Sequence, residues 1–190
     1  MDLPLIEDQV FSQAEIAKTP LIKGEYEYCT FNNCDLSNVD LSGMIFGDCR
    51  FNGCNLSLAK LSKTMFKEVK FLDCKLTGLH FDHCDAFLFA VDFDNCLLQL
   101  SSFYRLKMRK TNFLRTDLRE ADFTEADLTG ALFEETDLQN AVFDQTILEK
   151  ANFTKAFNYS INPDNNRIKN ALFSYPGVLG LLNKYQITIA

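Results

Sequence analysis

The amino-acid sequence predicts an all-β solenoid, a coil with four short sides per turn and about seven turns, closed at its C-terminal end by a short helical cap. Three observations carry that expectation. Large apolar residues recur every five positions, phenylalanine recurs every twenty, and a step of five fits neither the 3.6-residue face of a helix nor the two-residue alternation of a strand. From Phe11 to Phe81 the step of five lands on fifteen large, mainly apolar side chains without exception. After a shift of two residues it lands on fourteen more, from Leu88 to Phe153. Two positions before these centres the side chain is small, as at Cys29, Cys34, Cys49, Cys54, Ala59, Thr64, Ala121, Ala126, Ala131, Ala141 and Ala151. Centre and small residue both point inward, and the other three residues of each pentad face water.

Taken in order, residues 1–8 form a lead-in and residues 9–156 the coil. Positions 11, 31, 51, 71, 93, 113, 133, 153 and 173 are all Phe, which requires four pentads per turn and predicts rings stacked along one wall. The next side carries Ile16, Leu36, Leu56, Leu76, Leu98, Leu118 and Leu138, and a third carries Leu21, Leu41 and Leu61 followed by Phe81, Phe103, Phe123 and Phe143. Because the Phe column runs through it, the two-residue slip at 82–87 reads as a corner bulge that leaves the axis unbroken. Residues 157–170, rich in Asn with a Pro at 163, form a loop excursion. Residues 171–190 rejoin the column at Phe173 and then change character. Ser174-Tyr175-Pro176 suggests a helix start, Val178, Leu179, Leu181, Leu182 and Tyr185 an apolar stripe, and Ile187 with Ile189 a strand-like tail. Such a cap either shields the last turn or pairs two chains into a homodimer.

Segments such as Ala121-Asp122-Phe123-Thr124-Glu125 and Ala126-Asp127-Leu128-Thr129-Gly130 resemble the pentapeptide-repeat family. The resemblance spans about three quarters of the chain and implies a right-handed quadrilateral β-helix and dimers through C-terminal caps. The family includes Qnr-type quinolone-resistance proteins, acidic rods that resemble duplex DNA and occupy the DNA site of gyrase or topoisomerase IV.

Composition narrows the function further. A net charge of −7 repels nucleic acid and anionic membranes, so neither is an expected partner. No apolar run is long enough for a membrane span, and the acidic opening, Met1-Asp2-Leu3-Pro4, is unlike a signal peptide; a cytoplasmic protein is expected. A coil filled by its own side chains leaves no cleft, and the nucleophile, phosphate-loop and zinc-protease motifs are missing. The expectation is a non-enzymatic chain with no cofactor, no catalytic residue and no metal. His80 and His83 lie near Cys84, but His80 falls outward and Cys84 inward, so they do not suggest a shared site, and Asp82–Asp85 with the His pair reads as a solvated corner rather than a small site. All seven cysteines take the small inward slot and read as reduced filler.

What remains is surface. Between Thr111 and Glu149 ten acidic residues face only Arg115 and Arg119, whereas Lys60, Lys63, Lys67, Lys70 and Lys75 make an earlier stretch basic. Asp117, Glu120, Asp122, Glu125, Asp127, Glu134, Glu135 and Asp137 are therefore the candidate partner surface. The cap residues Val178, Leu179, Leu181, Leu182, Tyr185 and Ile187 are the candidate dimer surface. Two functions follow: a rigid scaffold that docks a protein partner, or, by the resemblance, a DNA-mimicking modulator of type II topoisomerase.

Overall fold

A computed structural model describes residues 3–188. Its chain winds as a parallel β-solenoid. Leu5–Glu7, Glu25–Glu27, Ile45–Gly47 and Met65–Lys67 form a four-stranded parallel sheet on one side. A nine-stranded sheet runs the length of another side, from Val10–Ser12 to Leu172–Phe173, so eight intervals between strands make about eight turns. Phe11 lies over Phe31, Phe31 over Phe51 and Phe113 over Phe133, a register of twenty. Phe71 lies over Phe93, which confirms that the slip leaves this column unbroken.

The predicted wall of rings is present. Centroids along it are 4.5 Å apart for Phe31–Phe51, 5.4 Å for Phe71–Phe93 and 4.6 Å for Phe133–Phe153, with planes within 17° of parallel from Phe11 to Phe173. The third side repeats this from Phe81 through Phe103 and Phe123 to Phe143. Across the coil the two stacks meet edge to face, as for Phe113 and Phe123 at 5.8 Å and 83°. Both geometries suit the ring quadrupole.

Two residues after almost every centre the backbone turns the corner in the left-handed region, at φ near +50° to +70°. Only Gly43, Gly53, Gly78 and Gly130 meet that demand without a Cβ. Leu58 and Leu100 meet it with exposed leucines, although Asn38 and Asn140 stand in the same column. The left-handed conformation costs an ordinary L-residue about 1 kcal/mol, and Asn tolerates it better. Leu100→Asn is expected to stabilise the coil by up to about 1 kcal/mol, read from urea unfolding; a loss of stability would mean that the corner is unstrained.

The cysteines do more than fill space. On the leucine side each centre's carbonyl accepts the N–H three residues on, as in Val39 to Leu36 at 3.2 Å and Ala121 to Leu118 at 3.1 Å. On much of the Phe side the strand is extended and that bond is absent. A side chain of the next turn supplies the donor: Cys54 Sγ to Phe31 O at 3.3 Å, Cys74 Sγ to Phe51 O at 3.2 Å, Cys96 Sγ to Phe71 O at 3.4 Å and Thr136 Oγ1 to Phe113 O at 2.8 Å. Cys34, Cys54, Cys74, Cys96, Thr116 and Thr136 follow one another in one column, so six successive turns place a thiol or hydroxyl there before the column passes to Ala156. All seven cysteines are buried and free, and burial pushes the thiols of Cys34 and Cys49 up to about 12. An aromatic disulfide reagent near neutral pH is expected to label none of the seven promptly and all of them after denaturation.

Four expectations need correction. The first turn contains a short α-helix, Gln13–Lys18, where the pentad side centred on Ile16 was expected. Ser12 N and Oγ donate to Glu15 Oε2 at 2.7 and 2.8 Å, which starts the helix, yet Ile16 still turns inward. The lead-in is itself part of the coil, because Leu5–Glu7 pairs with Glu25–Glu27. At the slip, Leu88 is not a centre: it is 62% exposed, and Phe89, 8% exposed, turns in against Phe66 and Phe81. The extra residues form an outward bulge in which Asp85 Oδ1 accepts the Phe87 N–H at 2.8 Å, leaving the larger ring to fill the wall.

The cap is the fourth. It is helical, but as two short 3-10 helices, Gly177–Leu181 and Asn183–Tyr185, in place of one continuous helix. Tyr159, from the expected loop segment 157–170, whose Phe157 and Arg167 pair with Asp137 and Ile147 of the coil, closes the aromatic column over Phe153 and Phe173 at 5.5 and 5.9 Å. The cap lies directly on Tyr159: a Cβ at Gly180 would come within 2.4 Å of its carbonyl oxygen. Two glycines in four residues disfavour an α-helix and permit this approach. Gly180 O accepts the Ile161 N–H at 3.1 Å, and Lys184 pairs with Asp164. The tail position Ile189 lies outside the described residues.

Candidate protein-binding surfaces

Outward positions of a pentad lie before the centre, after it and at the corner. Asp117, Asp122, Asp127 and Asp137 precede centres. In each, one carboxylate oxygen accepts the backbone N–H two residues on, at 3.2, 2.9, 3.1 and 3.0 Å respectively. These carboxylates therefore build the turn as well as facing outward. Asp117 and Asp137 stack directly in one ladder, whereas Asp122 lies between Ser102 and Val142 in another and Asp127 between Lys107 and Ile147 in a third. Glu134 and Glu135 follow Phe133 on the Phe side, and Glu120, Glu125 and Glu135 occupy left-handed corners. The eight candidates are thus spread around all four sides and make no single acidic stripe.

Four of them are also ion-paired. Arg119 Nη2 reaches Asp117 at 2.6 Å, Arg105 Nε reaches Glu125 at 2.7 Å, Arg109 Nε reaches Asp127 at 2.6 Å, and Lys155 holds Glu134. Burial tends to raise the carboxyls of Asp117 and Asp127, but the hydrogen bonds from Arg119 and Gln99, and from Thr129 and Arg109, hold both below the usual range. Hydrogen bonding from Arg105 lowers Glu125 likewise. Arg105, Arg109 and Lys155 belong to neighbouring turns, so these charges act along the axis as well as outward. Composition alone concealed this, because Arg105, Arg109 and Lys155 lie outside the acidic stretch in sequence and come beside it only through the register of twenty. Lys60, Lys63, Lys70, Lys75, Lys107 and Lys110 have no ion-pair partner among the described residues.

At the C-terminal end the candidate dimer residues divide. Val178, Leu179, Tyr185 and Ile187 are exposed, joined by Tyr175. Leu181 packs against the core and Leu182 is half-buried. A second exposed apolar pair, Phe87 and Leu88, marks the bulge. Among the described residues no helix is long and apolar enough to cross a membrane.

Residues 25–87 match the family described as pentapeptide repeat region, and residues 88–125 and 126–157 match pentapeptide repeats (8 copies). No curated protein matches the chain. Two trypsin-treated forms of QnrB1, a plasmid-mediated fluoroquinolone resistance protein, are similar in structure at 15% identity, with TM-scores of 0.59 and 0.58 and coverage of 99% of this chain and 98% of theirs. HetL, a pentapeptide repeat protein involved in heterocyst differentiation regulation from the cyanobacterium Nostoc sp. strain PCC 7120, is 16% identical over 90% of this chain and 84% of its own, with a TM-score of 0.37. At such identities the QnrB1 likeness speaks for the fold. With the five-residue register, the stacked rings and the family matches over residues 25–157 in agreement, the chain belongs to the pentapeptide-repeat family.

Proposed function

We propose that this chain is a rigid, non-catalytic solenoid that docks a protein partner on its outer sides and pairs with a second copy through its C-terminal cap. The observation that carries the reading is the contrast between the two kinds of surface. Inside, Phe31, Phe51, Phe93, Phe113 and Phe133 are fully buried and fill the coil, leaving no interior for a substrate. Outside, the cap leaves Val178, Leu179, Tyr185 and Ile187 uncovered together at one end, an apolar cluster that a second copy would bury. Leu179→Asp tests the pairing more cleanly than Leu181→Asp, because Leu181 also anchors the cap to the core. In sedimentation at micromolar concentration the wild type is expected as a dimer and Leu179→Asp as a folded monomer. A monomeric wild type would remove the pairing from the proposal.

A second reading, modulation of type II topoisomerase as a DNA mimic, is favoured by the end-to-end likeness to QnrB1. Glu120 and Glu135, exposed and without an ion-pair partner among the described residues, carry the charge it needs, while the pairing of Asp117, Glu125, Asp127 and Glu134 works against it. Supercoiling by purified gyrase separates the two readings. Inhibition by micromolar protein, or relief of quinolone inhibition, would support the mimic; no effect on either would leave the partner to be sought elsewhere.

A further inference from the structure

His80, Phe81, Asp82 and His83 form the last corner before the bulge, and this corner departs from the pattern of the others. The chain tightens into a 3-10 turn, Phe81–His83, with His83 N to His80 O at 3.2 Å and Cys84 N to Phe81 O at 2.9 Å. Side chains three apart eclipse in such a turn. The imidazoles of His80 and His83 accordingly stack at 4.8 Å and 13°. Phe81 is the inward centre, so His80, Asp82 and His83 all face outward.

The contacts of the acid also differ from those of the acids that precede a centre. Asp117, Asp122, Asp127 and Asp137 precede their centres and receive a backbone N–H; Asp82 follows its centre, and no backbone N–H among the described residues donates to it. Its carboxylate meets the two rings instead. Oδ1 lies 3.3 Å from His80 Nδ1 and Oδ2 lies 3.7 Å from His83 Nε2. The three donor atoms lie within 4.8 Å of one another. Donors around one ion at bond lengths of about 2.0–2.2 Å stand about 3–3.6 Å apart, so a small rotation of the two half-exposed rings suffices.

We propose that His80, Asp82 and His83 form a binding site for a divalent first-row transition-metal ion of the zinc or nickel class. Two imidazoles and one carboxylate suit those ions and leave coordination positions open to solvent. Asp82, with a side chain only 17% exposed, is the fixed ligand, and the rings, 58% and 59% exposed, close on the ion. Lys60 lines the same depression as the two histidines, and its charge opposes that of a bound cation. In the sequence Asp82–Asp85 with the two histidines reads as a solvated corner; the eclipsing that brings His80 and His83 together comes from the tightened turn.

The test is calorimetric titration of untagged, chelator-stripped protein with zinc and with nickel salts. One equivalent is expected to bind, and His83→Gln and Asp82→Asn are each expected to weaken binding about tenfold or more. The circular dichroism of metal-free His83→Gln should match that of the wild type, since its ring is at the surface. Cobalt loading should give visible ligand-field bands without thiolate charge transfer. Absence of saturable binding, undiminished binding by His83→Gln, or a thiolate band reporting Cys84 would each overturn the proposal.

Discussion

Phe113→Ala is expected to destabilise the solenoid by about 3–5 kcal/mol, among the largest losses any single truncation in this chain can cause. Phe113 is fully buried and stacks on Phe93 at 5.4 Å and Phe133 at 5.0 Å. It also meets Phe103 and Phe123 edge-on at 6.0 and 5.8 Å. Removing it leaves a void between two turns that cannot close, because the backbone spacing along the axis is set by the hydrogen-bonded ladder Phe93–Phe113–Phe133. The same change at Phe173, where the column ends half-covered by Tyr159, should cost less. Urea unfolding of both variants measures the difference. A loss under about 1 kcal/mol at Phe113 would mean that the ring is not buried.

Sequence and structure agree where one residue's side chain alone decides its place. The Phe wall, the leucine side and the small inward slot are legible because a buried ring, a buried leucine and a tight corner each exclude most alternatives. Agreement stops where two candidates compete or where the neighbour lies twenty residues away. At the slip, Leu88 and Phe89 are both apolar, and the larger ring takes the inward place while the leucine becomes part of the bulge. In the cap, apolar spacing suggested a helix, but Gly177 and Gly180 against Tyr159 favour tighter turns. The acids of the candidate surface were legible as residues but not all as free charges, since Arg105, Arg109 and Lys155 pair with Glu125, Asp127 and Glu134 only after the coil has formed. The column of Cys34, Cys54, Cys74, Cys96, Thr116 and Thr136 held a signal that was readable: four thiols followed by two hydroxyls point to a donor and not to size alone.

The register of inward and outward positions can be tested by moving one acid a single residue along the chain. Leu132 precedes the centre Phe133 in the position where Asp122 and Asp127 already sit, and it is partly exposed. Leu132→Asp is expected to change stability by no more than about 1 kcal/mol. Ala131, one residue earlier, is fully buried beneath Ala151 and above Thr111, and no Lys or Arg is buried among the described residues to pair with a charge there. Ala131→Asp is expected to cost about 3–5 kcal/mol at neutral pH, the loss typical of an uncompensated buried charge. The pH dependence gives the sign. Burial would raise the folded-state pKa of this new carboxyl above its unfolded value, so the folded chain binds the proton more tightly and the penalty is full above the folded pKa. The penalty shrinks as pH falls through that value and is relieved below the unfolded pKa, apart from the cost of the extra volume. Urea unfolding at neutral and at acidic pH should therefore show Ala131→Asp approaching the wild type as acid is added, with Leu132→Asp following the wild type throughout. Equal effects of the two substitutions would place both side chains in the same environment, which a coil with one inward and one outward position at 131 and 132 does not allow.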